Sequence, residues 1–126
     1  MWIYLYLITT AFHFENGWSL MGLTDNYQHE FTYIRSSYHY SDPWKFLAVY
    51  QFPRMNRSTE FPRINQSMVE QLTNESYYEH GLEWYRIDVA QIESMLRYEA
   101  IPFQEISYEQ LVLDTKTKAI RVHDEL

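Results

Sequence analysis

With only ten lysines and arginines in 126 residues, this chain has few places to hold an anion, yet Arg54, Arg57 and Arg63 fall close together. An arginine fork grips phosphate or carboxylate in two places and lies flat on rings. Just upstream, YIRSSYHYSDPWKF (33–46) carries Arg35 and a run of rings, among them Tyr38, His39 and Tyr40. Aromatic faces stack on nucleobases, for about 1–3 kcal/mol per base in single-strand binders. A loop with Tyr38, His39 and Tyr40 near a loop with Arg54 and Arg57 would hold a nucleotide without a glycine cradle. The strand expected between the two loops could also place them at its opposite ends. A further expected loop, ESYYEHG (75–81), adds Tyr77, Tyr78 and His80, which together with Tyr38 and His39 are expected to contact a ligand or partner. The plainer reading stands beside this one: Tyr33, Trp44, Phe46 and Tyr50 as core, and the arginines paired with carboxylates such as Glu60 or lying in solvent.

Other chemistries find less support. There is no cysteine, which removes disulfides, thiolate nucleophiles and Cys-type zinc sites. The histidines, His13, His29, His39, His80 and His123, show neither the i, i+4 helical spacing of a zincin nor the i, i+2 spacing of a strand site. No G-x-S-x-G elbow occurs, and three glycines leave no phosphate loop. His39 with Asp42 is a possible acid–base pair. His80 with Glu79 is a poor one on a strand, where neighbours point to opposite faces. We therefore expect no enzyme, no cofactor and no metal. A net charge of −7 argues against duplex nucleic acid, which needs a basic face. It suits a basic partner instead. The alternative function is accordingly an acidic protein-binding inhibitor, of the antitoxin or anti-restriction type, acting through a tyrosine-rich surface.

These residues must be positioned by elements of one domain, the size this length predicts. WIYLYLI (2–8) reads as a strand too short to span a membrane. It lacks the basic start of a signal peptide. On that ground the terminal HDEL and the sequons at Asn56, Asn65 and Asn74 are set aside in favour of a cytoplasmic protein. Further strands are expected at 18–23, at 29–34, at 45–52 (central in the sheet), and near 82–87. Residues 53–64, with two prolines, read as loop. Helices are predicted from Ser67, with Met68, Val69 and Leu72 buried, and from Asp88, with Ile92, Met95 and Leu96 buried. Residues 103–113 and 119–122 read as a closing hairpin around DTKTK. The order predicts an α+β fold, a mainly antiparallel sheet of about six strands with two helices in the second half.

YIRSSYHYSDPWKFLAVYQF (33–52), and SYYEHGLEWY (76–85) before a closing helix and hairpin, give the chain a resemblance to the phage Thoeris anti-defence family of cyclic-ADP-ribose sponges. The resemblance implies a small homo-oligomer without catalytic activity in the cytoplasm of a host bacterium. It would bind immune-signalling nucleotides and keep them from their effectors. Arginines would sit on phosphates and rings on adenine, with Arg57 first and Arg35 and Arg54 behind it. The acidic net charge departs from this, since a dianionic ligand needs a locally basic pocket.

Overall fold

The apolar run after the N-terminus forms strand β1 (Ile3–Thr10), rich in the β-branched and aromatic types that suit a pleated surface. The computed structural model describes residues 2–53 and 55–124, with side chains for 2–53 and 55–116. A short helix α1 (Ala11–Glu15) leads into β2 (Leu20–Thr24), followed by α2 (Tyr27–Ser37) and β3 (Trp44–Phe52). Then come α3 (Glu60–Leu72), the hairpin β4 (Ser76–Glu79) and β5 (Leu82–Tyr85), α4 (Val89–Glu99), β6 (Gln104–Glu105) and α5 (Tyr108–Asp124). The main sheet is antiparallel in the order β2-β1-β3-β6, and the hairpin joins it through a bridge between Ser19 and Tyr85. The fold is α+β, with β3 central in the sheet.

The pairing of β1 with β3 shifts register between Leu7 and Ile8, leaving Leu47 as an extra residue. Side chains alternate along a strand, so this bulge lets Phe46 and Val49 share a face. That face packs under α2 and α5 through Tyr27, Phe31, Ile34 and Leu111. The opposite face, with Ala48, Tyr50 and Phe52, packs under α3 and α4 through Ile64, Met68, Ile92 and Leu96. Helices thus cover both faces of the sheet.

Several elements differ from the sequence expectation. Residues 29–34 lie in α2, not a strand. Asn26 caps this helix by accepting from the His29 amide at 3.0 Å, and Tyr27, Phe31 and Ile34 form a buried stripe with helical spacing. Helix α3 starts at Glu60 rather than Ser67, because Pro62 falls in the first turn, where its missing N–H has no helical partner to lose. Met68 and Leu72 are buried there as expected, but Val69 is exposed. ESYYEHG is mostly strand β4 and the turn into β5, not a loop. Residues 103–113 and 119–122 supply only β6 as strand. From Tyr108 onward these residues lie in α5, where the Ser107 hydroxyl accepts from the Gln110 amide and DTKTK continues the helix. Asp114 does not act as a turn residue because its carboxylate is buried, accepting from the Tyr27 hydroxyl at 2.6 Å and from Gln110 at 3.0 Å.

Candidate functional site

At the end of β1, Thr10 caps α1, and its hydroxyl accepts from the His13 amide at 3.3 Å. The cap folds His13 back over the end of the sheet, where it is buried and stacks on Trp84, with ring centroids 3.6 Å apart and planes 4° from parallel. Trp44 lies parallel to Trp84 at 5.6 Å, and Tyr40 meets His13, Trp44 and Trp84 edge-on. The His13 ring also bridges two polar groups. Nδ1 is 2.6 Å from the Thr10 hydroxyl and Nε2 is 2.9 Å from a Glu79 oxygen. A carboxylate only accepts, so Nε2 donates to Glu79, and in the neutral ring Nδ1 is then the acceptor for the Thr10 hydroxyl. Burial pushes the Glu79 carboxyl up, but the hydrogen bond from His13, the approach of the Tyr40 hydroxyl and the nearby His80 outweigh it and hold the group below its usual range. The buried Tyr40 hydroxyl approaches Glu79 and the Trp84 indole without closing a full hydrogen bond to either. Burial, and then the Glu79 carboxylate, raise its pKa well above that of an ordinary tyrosine.

Thr10, His13 and Glu79 resemble a nucleophile, base and acid in order. The Thr10 side chain, however, is 0% exposed and His13 only 3% exposed. No substrate reaches that hydroxyl, so the relay is an internal latch between the β1 end and the hairpin.

Beside the latch lies an open cleft of about 230 Å³, lined by Arg35, Tyr38, His39, Tyr40, Asp42 and Trp44, with Pro43 and Thr115. Arg35 comes from the last turn of α2. Its guanidinium donates to the Thr115 carbonyl at 2.8 Å and sits 5.0 Å from the Phe31 ring centre. Burial lowers its pKa, yet a guanidinium keeps its charge at any physiological pH. Trp44 fixes the loop by donating its indole N–H to the Tyr38 carbonyl at 2.8 Å, and Asp42 accepts from the Phe12 amide at 3.1 Å. The cleft therefore offers a cation with spare donors, ring faces and one carboxylate.

Arg35, Tyr38 and His39 are thus brought together, whereas the other candidates are distributed differently. Tyr77 is half-buried against Trp18, with centroids 4.6 Å apart, and Tyr78 is 71% exposed. His80 occupies the hairpin turn at φ 54°, followed by Gly81 at φ 84°. Its ring lies 5.8 Å from Tyr40, so the two ring-rich segments meet there. Arg57 sits on the loop beyond the far end of β3, whose nine residues extend roughly 26 Å. Arg54 lies outside the described residues. Glu79 pairs with His13 rather than His80. The Thr10–His13 cap spacing was a readable signal for part of the latch, but nothing local pointed to Glu79, 66 residues away. Among the described residues no three His, Asp or Glu side chains gather to hold a metal ion, and no helix is long and apolar enough to cross a membrane.

Compared with known proteins, the chain matches no family model, no curated protein and no solved structure. Its function has to be read from this geometry.

Proposed function

We propose that the protein binds a small nucleotide at the Arg35 cleft and holds it without turning it over. This is the sequestering role implied by the resemblance to anti-defence sponges of immune-signalling nucleotides. The observation that carries the reading is the convergence of Arg35, Tyr38, His39 and Tyr40 on one concavity. A phosphate is met by the free donors of Arg35, a base by the ring faces, and a ribose hydroxyl or exocyclic amine by Asp42. In the relay able to do acid–base chemistry, Thr10 and His13 are buried, which favours binding over catalysis. The alternative, a protein-binding inhibitor, calls for a tyrosine face, but the exposed Tyr33, Tyr78, Tyr98 and Tyr108 come from four different elements.

The test is to incubate the purified chain with a nucleotide panel, remove free ligand, denature by heat and identify what is released. Intact nucleotide is expected from the wild type and little from Arg35→Gln, whose folding is checked by its melting curve. A cleaved product would point to an enzyme. No uptake by a folded wild type would remove this reading.

A further inference from the structure

The Arg35 cleft is smaller than the roughly 300–1,000 Å³ of pockets that enclose a whole ligand. A neighbouring cleft supplies more room. β6 pairs with β3 at Tyr50 and Gln51, with one further bond from Ile106 to Val49. Among the described residues, Trp44 to Leu47 therefore have no strand on their outer side, and α5 passes beside them. A cleft of about 240 Å³ opens there between Lys45, Phe46 and Leu47 on β3 and Tyr108, Val112 and Lys116 on α5. Thr115 lines both clefts, and the Trp44–Lys45 step of β3 carries one into the other.

The distribution of charge singles out this joined groove. Arg63, Arg86 and Arg97 are each paired with a glutamate. Among the described residues Arg35, Lys45 and Lys116 have no carboxylate partner, and all three line the groove. The Lys45 ammonium rests 4.6 Å from the Phe14 ring centre, a contact that its flexible stem can exchange for an anion. Of the nearby acids, Asp42 lines the groove beside Arg35 and accepts from the Phe12 amide, so one carboxylate faces the three cations, and Asp114 is buried against Tyr27 and Gln110. In a chain of net charge −7, this is a locally basic strip with rings at both ends, Tyr38 to Tyr40 on one side and Tyr108 on the other.

We propose that the two clefts form one site for a dinucleotide carrying two anionic groups. One base and its phosphate lie at Arg35, the second phosphate lies between Lys45 and Lys116, and the second base lies on Tyr108. This assignment rests on the nucleotide reading above.

Calorimetric titration with AMP, with a pyrophosphate-linked adenine dinucleotide and with inorganic pyrophosphate tests it, on the wild type and on Lys45→Gln/Lys116→Gln. Both lysines are exposed, so the double variant keeps the wild-type melting curve. The wild type is expected to bind the dinucleotide at least about tenfold more tightly than AMP, a gap that one or two charge-assisted hydrogen bonds supply. The double variant should lose that advantage with AMP affinity unchanged. Equal wild-type affinities, or an advantage that survives in the double variant, would refute the second subsite and leave the nucleotide reading intact. Lysine-dependent uptake of pyrophosphate alone, or no binding of any probe, would overturn the nucleotide reading and the dinucleotide assignment with it.

Discussion

Glu79→Gln isolates the charge in the latch. The amide oxygen can still accept from His13 Nε2 at the 2.9 Å separation, so shape and bond count are kept and only the carboxylate charge is removed. A hydrogen bond to a charged group contributes about 1.5–3 kcal/mol and a neutral one about 0.5–1.5 kcal/mol. The Glu79 side chain is 35% exposed, which screens the charge and selects the low end, a loss of about 1 kcal/mol. For a domain of this size that is a fall in Tm of roughly 3–5 °C at neutral pH. The sign with pH follows from the lowered folded pKa of Glu79. Its stabilisation is fully present above the ordinary carboxylate value of 4.5 and is lost as pH falls through the lower folded value. Thermal melts of both proteins between neutral and strongly acidic pH should therefore show a Tm gap that closes on acidification. A gap of the same size at both ends would refute the claim that the ionised carboxylate is what His13 holds.

His80 sits at positive φ in a two-residue turn before Gly81, a position that favours Asn over histidine. His80→Asn should raise Tm, with about 0.5–1 kcal/mol gained from relieved strain, and a fall would mean that the Tyr40 contact outweighs the backbone. Tyr27→Phe leaves the buried Asp114 carboxylate with Gln110 as its remaining hydrogen-bond partner. It should cost about 1.5–3 kcal/mol in urea unfolding, and an unchanged midpoint would show that the α2–α5 link is not holding the two helices.

Where local chemistry and tertiary packing agreed, the fold was legible. The doubly apolar KFLAVYQF announced a strand buried on both faces, and the Asp88–Gln91 capping box announced α4. The errors arose where polar residues carry a tertiary job. DTKTK looks like a turn only because Asp114 shows no sign, in one dimension, of the Tyr27 hydroxyl that satisfies it 87 residues away. Residues 29–34 mimic alternation because their helical stripe begins earlier, at Tyr27, and spreads over Phe31 and Ile34. The cap that opens this helix, Asn26, is equally a turn-forming residue, so the period is ambiguous without the fold.

The candidate site divides along the same line. Ring density marked segments that come together in the fold, since Tyr38, His39 and His80 all end up around Tyr40. Arginine density did not mark the cation, because clustering in sequence says nothing about which end of β3 a loop leaves from. Arg54, Arg57 and Arg63 drew attention as a group, yet Arg63 is paired with Glu99. Among the described residues Arg35, Lys45 and Lys116, which have no carboxylate partner, are scattered over 82 positions, and they line adjoining clefts beside the stretch of β3 that β6 is too short to cover. The acidic net charge of −7 is not spread evenly over the surface. Among the described residues glutamates pair with Arg63, Arg86 and Arg97, and the groove between α5 and β3 sets Arg35, Lys45 and Lys116 against the single carboxylate of Asp42.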